Sequence, residues 1–251
     1  MHNNNKQCVI FDCEGTLVDS ERLCCQVLLG LFQELGAVLT LDDVVESFDG
    51  GLVAELLNRL VEKTGVNADI DSLEIEYRHR THELFDHQLR PMSGAVSLLE
   101  QLRRHHIDVC VASNSPKDKI ESLLELCGLR SYFDDQIYSA FDANSWKPEP
   151  DLIHYCAMNM GYSLDQCVYI DDTYQGIEAG ISAGVDTIHF KPAIKQVSPI
   201  EHLSLVKQPA QFSDVESDKV AAERIEAHDF LDSKVVAVMH KLSEVEQYLS
   251  I

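Results

Sequence analysis

Positive charge is scarce in this chain. Lysine and arginine number 20 against 42 aspartates and glutamates, a formal charge of −22. So acidic a chain offers the phosphate backbone of a nucleic acid little to bind, and it is repelled by an anionic membrane surface. Long hydrophobic runs are absent too. No stretch of 18 apolar residues occurs, which argues against a helix across a bilayer. Met1-His2-Asn3-Asn4-Asn5-Lys6 has no apolar targeting core, so a cytoplasmic location is expected. None of the eight cysteines forms a C-x-x-C pair, and several sit inside apolar runs. They read as buried reduced thiols, not as a disulfide or zinc framework. No internal repeat is present. What remains is a globular protein of 251 residues with 45% hydrophobic content, enough for one large domain and a smaller one.

Strand-like apolar runs fall near residues 7–11, 107–112, 136–140, 166–170 and 185–190. Between the last four lie stretches with helical spacing, such as Ile120-Leu123-Leu124 and Leu152-Ile153-Tyr155-Cys156. Strands alternating with helices predict a parallel sheet with helical crossovers. The first connection differs, because residues 18 to about 89 carry no clear strand. Leu23-Val27-Leu28-Leu31-Phe32-Leu35 makes a helical stripe ended by Gly36, and similar stripes continue to Phe85. The expected architecture is α/β: a Rossmann-like parallel core in 1–17 and 90–195, an α-helical insert in 18–89, and an extension in 196–251. In the extension, Gln211 to Asp218 looks like a linker. Residues 229–249 follow with the pattern of one amphipathic helix, which either packs on the core or forms a dimer contact.

The chemistry-bearing residues stand at the ends of the strand-like runs. Cys8-Val9-Ile10-Phe11 closes in Asp12-Cys13-Glu14-Gly15-Thr16. That puts two carboxylates at the carboxyl end of a strand, where open α/β sheets place their sites. Asp12 can serve there as nucleophile or metal ligand, and Glu14 as proton donor. Asp108–Ala112 closes in Ser113-Asn114-Ser115-Pro116. With Ser115 as N-cap and Pro116 in the first turn of a helix, this is an anion pocket. Trp146-Lys147-Pro148-Glu149-Pro150 holds Lys147 on a stiff loop as a point charge for phosphate. Cys167–Ile170 closes in Asp171-Asp172, adjacent acids that repel each other unless a cation sits between them.

These four segments, in this order, resemble the haloacid dehalogenase superfamily, and the resemblance covers about residues 6–195. Within it the likeness is greatest to bacterial phosphatases acting on a phosphorylated sugar acid. Phe11-Asp12-Cys13, Leu84-Phe85-Asp86 and Trp146-Lys147-Pro148 carry that likeness. The resemblance implies that Asp12 is the nucleophile, Ser113 the hydroxyl of the second motif and Lys147 the phosphate-binding lysine. It makes Asp171 and Asp172 the metal-binding acids. Mg²⁺ would be bound by Asp12, the carbonyl of Glu14 and Asp172, with Asp171 holding the metal's water or ordering Lys147. Phosphate would sit among Ser113, Asn114, Lys147 and the amides from Cys13 onward. One position departs from the pattern, because the family's phosphatases usually carry Asp where Glu14 stands.

In this family a helical insert such as 18–89 is a mobile cap. Its substrate-selecting loop corresponds to Phe48-Asp49-Gly50-Gly51-Leu52, which makes Asp49, Gly50 and Gly51 candidates. Arg78 is another, in the cluster Arg78-His79-Arg80-His82. The implied activity is Mg²⁺-dependent hydrolysis of a small phosphorylated metabolite by a monomer or homodimer, with no nucleic-acid or membrane partner. Two alternatives are a sugar phosphomutase using the same site and a phosphate-binding protein of low turnover.

Overall fold

The computed structural model describes residues 6–48, 53–192 and 227–251. Among them, six strands form one parallel sheet. They are β1 (Cys8–Phe11), β2 (Asp108–Ser113), β3 (Ile137–Ser139), β4 (Cys167–Asp171), β5 (Asp186–Phe190) and β6 (Ala237–Met239). Their order is β3-β2-β1-β4-β5-β6, and every adjacent pair is parallel.

The strands are short apolar runs because both of their faces are covered. Side chains alternate between the faces. Val9, Phe11, Val111, Val168, Ile170 and Ile188 enter one core, while Cys8, Ile10, Cys110, Ala112, Cys167 and Tyr169 enter the other. Helices α5 (Ala95–Arg104) and α6 (Lys117–Leu126) cover the first face through Leu98, Leu99, Leu102, Ile120, Leu123 and Leu124. Behind the short α7 (Ala140–Ala143), α8 (Asp151–Met160) and α9 (Tyr174–Ala183) cover the second. All eight cysteines are buried and free.

The stretch between β1 and β2 is helical, as its periodicity predicts. It holds α1 (Glu21–Glu34), α2 (Leu41–Ser47), α3 (Val53–Thr64) and α4 (Ile70–Gln88). Gly36 ends α1 at φ +83°. Its amide reaches the Gln33 carbonyl and that of Ala37 reaches Phe32, so the last free carbonyls of the helix are satisfied. The chain leaves and re-enters the sheet domain through a paired neck. Val18 bridges Pro91, Asp19 N–H donates to Arg90 at 3.0 Å, and Met92 N–H donates to Leu17 at 2.8 Å.

The extension departs from expectation. Residues 229–249 are not one amphipathic helix. Helical structure stops at residue 232, β6 follows, and α10 (Ser243–Leu249) comes last. The run Val235-Val236-Ala237-Val238-Met239 fits a helical stripe, but it is also β-branched and apolar, and short runs of that kind suit either state. The open edge of β5 decides between them. Val236 N–H donates to Thr187 and Lys191 N–H to Met239, extending the sheet by one strand. Met239, Leu242 and Val245 then pack into the first core. The linker expected at 211–218 lies outside the described residues. No helix among the described residues is long and apolar enough to cross a membrane.

Candidate active site

Asp12 is the first residue past β1, and its N–H donates to the Ile170 carbonyl of β4 at 2.9 Å. With β2 on one side of β1 and β4 on the other, the strand order reverses here, where open α/β sheets leave a crevice. Ser113 ends β2 and Asp171 ends β4, so three of the four sequence segments meet at one end of the sheet.

The fourth arrives through Lys147. Its ammonium donates to Asp12 Oδ1 at 2.5 Å and to Asp171 Oδ2 at 2.8 Å, and the side chain is only 3% exposed. Asn114 sets the loop that carries it. The Asn114 side-chain carbonyl accepts the Lys147 N–H at 2.9 Å, and its amide donates to the Lys147 carbonyl at 3.3 Å. The Asn114 side chain thus orders the loop of Lys147 through its carbonyl and one amide N–H. Asp171 likewise serves Lys147. Its other bonds come from the Tyr169 hydroxyl and from the Thr173 N–H and Oγ1, at 2.7 and 2.8 Å for the last two.

Burial pushes the Asp12 carboxyl up to about 7, with the Asp171 charge adding to the rise and Lys147 opposing it. For Asp171 burial acts the same way, but Lys147 and the hydrogen bonds hold it below the usual carboxylate range. Asp172 is pushed well above that range by burial and by the charges of Asp171 and Asp12, with the Thr16 hydroxyl at 2.7 Å helping to hold the ionised form. Carboxylate oxygens of Asp12, Asp171 and Asp172 all lie within 4.8 Å of one another. Were all three carboxylates ionised, two of their charges would stand without a partner after the Lys147 ammonium. A hard divalent cation such as Mg²⁺ takes oxygen donors of this kind, so the residues fit it.

Backbone constraints build the loop around this centre. Cys13 is buried, and its carbonyl accepts the Leu17 and Val18 amides at 2.9 and 3.0 Å. Gly15 sits at φ +88°, and a Cβ there would fall 2.0 Å from Asp172 Oδ2. Glu14 turns toward α6. Ser115 Oγ donates to Glu14 Oε2 at 2.6 Å, and Lys119 Nζ donates to Oε1 and Oε2 at 2.8 and 2.9 Å. Burial works against the charged form of Glu14, but Lys119 and Ser115 hold its carboxyl below the usual range. Ser115 therefore does not cap α6 as expected. Pro116 is the N-cap, the helix starts at Lys117, and the serine hydroxyl faces the site.

Two groups of expected residues stand apart. Arg78 projects from α4, 62% exposed, and pairs with Glu74 one turn away. That is a solvated helix face, and no contact of Arg78 with the site is seen. Asp49, Gly50 and Gly51 lie outside the described residues. The sequence reading missed Lys119, Tyr169 and Thr173. Lys119 lies one turn after Ser115, and Tyr169 lies two residues before Asp171 on the same strand face, so spacing alone could have found both.

The sequence profile of the haloacid dehalogenase-like hydrolase family matches residues 9–190, which takes in every residue of this centre. The chain belongs to that family. It is 33% identical to the 6-phosphogluconate phosphatase of Escherichia coli strain K12 over 205 residues, 79% of this chain and 91% of that one. A phosphorylated carbohydrates phosphatase of Thermotoga maritima is 27% identical over 73% of this chain and 84% of its own. Among solved structures, a haloacid dehalogenase-like protein of unknown function from Agrobacterium tumefaciens superposes with a TM-score of 0.76 at 25% identity, covering 98% of both chains. Family and relatives together make this protein an enzyme, a phosphoric monoester hydrolase.

Proposed function

We propose that the protein hydrolyses a small phosphorylated sugar or sugar acid in two phosphoryl-transfer steps. One observation carries the reading above the rest: Lys147, buried, bridges Asp12 and Asp171 beside a further carboxylate, Asp172. A purely structural cluster gains nothing from a third carboxylate set beside a buried lysine that already bridges two, whereas a site for phosphate and a cation gains from both charges.

In the first step an Asp12 oxygen attacks phosphorus in line. The P–O bond to the sugar breaks as an aspartyl-phosphate forms. Lys147 and the Ser113 hydroxyl, which accepts the Ser115 N–H at 3.2 Å and keeps its own proton to donate, hold the phosphoryl oxygens. In the second step water attacks phosphorus, phosphate departs and Asp12 is regenerated. Asp12, Asp172 and the Glu14 carbonyl would hold Mg²⁺, with Asp171 ordering Lys147. Bound there, the ion supplies positive charge that offsets the phosphoryl oxygens.

Glu14 is the proton carrier of this reading. Ionised between Ser115 and Lys119, it suits the second step, where a base takes a proton from water. The first step requires a protonated Glu14 to meet the departing alkoxide. The pairing with Lys119 opposes that form, so we infer a slow phosphatase on sugar phosphates, whose alkoxide leaving groups need that proton.

Helices α1–α4 form a cap in this account, hinged at the paired neck of residues 17–19 and 90–92. Support comes from its closeness to the site. Helix α4 packs against α6, whose Lys119 pairs with Glu14. Closing the cap would exclude water from the first step.

The test is phosphate release from a panel of sugar phosphates with Mg²⁺, for the wild type and for Asp12→Asn. Release by the wild type and its loss in a folded Asp12→Asn variant support the reading. Equal release by both would overturn it. Conversion to an isomer without phosphate release would assign a mutase instead.

A further inference from the structure

Behind Asp171 and Asp172 lies a constellation around one buried histidine that the chemistry above leaves unused. His189 stands on β5 in register with Asp171 and is 1% exposed. Its Nε2 lies 3.2 Å from the main-chain carbonyl of Asp172, and its Nδ1 lies 2.5 Å from Asp232 Oδ1. Each ring nitrogen thus faces an acceptor, a carbonyl on one side and a carboxylate on the other. The other Asp232 oxygen accepts from Lys191 Nζ at 2.6 Å. Lys191 also donates to the Tyr174 hydroxyl at 2.9 Å. Tyr174 opens α9, two residues after Asp172. Its ring stacks on His228 with centroids 3.4 Å apart and meets His189 edge-on at 4.8 Å.

Asp232 and His228 belong to the C-terminal extension, beyond the residues 9–190 that the family profile covers. The extension is anchored independently of these contacts, by β6 on the edge of β5 and by α10 against α5. It therefore presents Asp232 from a fixed platform to the back of the Asp172 loop.

We propose that Asp232, acting through His189, is a positioning residue for Asp172, so that the C-terminal extension completes the cation site. Among the described residues the Asp172 carboxylate accepts a side-chain hydrogen bond from the Thr16 hydroxyl at 2.7 Å and occupies the space that a Cβ on residue 15 would fill. His189 Nε2 abuts the Asp172 peptide carbonyl and Asp232 abuts the other ring nitrogen, so the two side chains together fix where that peptide sits. Groups that orient ligands in this way typically contribute about 10- to 100-fold to metal affinity. The inference rests on the reading of Asp172 as a cation ligand, but its test does not depend on turnover.

Mg²⁺ alone is titrated by calorimetry into the full chain without substrate, for wild type, Asp232→Asn and His189→Phe. Mg²⁺ activation curves with a phosphoester accompany the titrations. The proposal expects Mg²⁺ affinity to fall about tenfold or more in each variant. The Mg²⁺ concentration for half activity should rise in parallel, while kcat at saturating Mg²⁺ stays within about threefold. The double variant should bind no more weakly than the weaker single one, because both changes break one chain of contacts. Unchanged affinity in a folded Asp232→Asn or His189→Phe variant would overturn it. So would a loss of kcat with no change in affinity. If the wild type itself binds no Mg²⁺, the metal reading of the site fails, and this proposal with it. Should Asp232→Asn fail to fold, His189→Phe, which keeps a ring in the cavity, carries the same test.

Discussion

Replacing Lys147 by methionine keeps most of the side-chain volume and removes the one cation between Asp12 and Asp171. Both contacts are short, 2.5 and 2.8 Å, and the lysine is 3% exposed, so water cannot take over its role. The two carboxylates raise the lysine pKa well above its usual value even though burial works the other way. Breaking a buried pair by deleting one partner costs about 3–5 kcal/mol, because the remaining charge is buried and unpaired. For a chain of this size, each kcal/mol corresponds to about 2–4 °C in Tm. Lys147→Met is therefore expected to melt about 6–20 °C below the wild type at pH 8 in chelator. The deficit has a sign with pH. Without the ammonium, Asp12 and Asp171 hold protons in the folded state more tightly than in the unfolded chain, where the carboxyl pKa is about 4. An acid whose folded pKa is raised stabilises the fold at low pH and loses that contribution as pH rises. The gap to wild type should thus narrow at pH 5. Differential scanning calorimetry at both pH values checks this. A variant melting within about 2 °C of wild type at pH 8, or showing the same deficit at both pH values, would refute the claim that Lys147 holds these carboxylates.

Gly15→Ala places a Cβ 2.0 Å from Asp172 Oδ2 and forces a side chain to φ +88°. We expect about 1–2 kcal/mol of backbone strain and, from displacing Asp172 by about 1 Å, a fall in kcat on the order of a hundredfold, measured by denaturant unfolding and steady-state kinetics. Glu14→Asp shortens the carboxylate away from Ser115 and Lys119, so kcat on small phosphoesters should rise; a fall, with the fold intact by circular dichroism, would mean that the site is built around Glu. Wild-type protein in chelator should lose Tm as pH rises from about 4 to about 7, because the unfolded chain sheds its carboxyl protons over this range while folded Asp12, raised to about 7, and Asp172, raised as well, hold theirs more tightly. Saturating Mg²⁺ should flatten that slope, and a slope unaffected by Mg²⁺ would argue against a cation among these acids.

The sheet core and the candidate residues at its edge were legible because they are local. Each strand is a short apolar run, and each functional residue is the next polar residue along the chain: Asp12 after Phe11, Ser113 after Ala112, Asp171 after Ile170. Chain order then brings the ends together, since a parallel sheet aligns all its carboxyl ends. The helical insert was legible from periodicity for the same reason. What stayed hidden depends on partners far away in sequence. Lys119 meets Glu14 across 105 residues, and Asp232 meets His189 across 43. Residues 235–239 read as part of a helix because nothing local reveals that β5 offers an unpaired edge. Asn114 stood out for its position beside Ser113, and its amide is complementary to the main chain of Lys147, 33 residues on. Arg78 stood out for its basic cluster, and Glu74 on the same helix supplies its partner.

The central claim is that Asp12 carries the phosphoryl group between two steps, and a quenched single turnover tests it most directly. Enzyme in excess over a sugar phosphate, with Mg²⁺, is stopped in acid within the first turnover and digested for peptide mass spectrometry. If Asp12 is the carrier, one added phosphoryl group is expected on the peptide containing it, appearing before free phosphate and decaying as phosphate is released. Phosphate released at full rate with no phosphorylated peptide at any time point, or the group found on a residue other than Asp12, would contradict it.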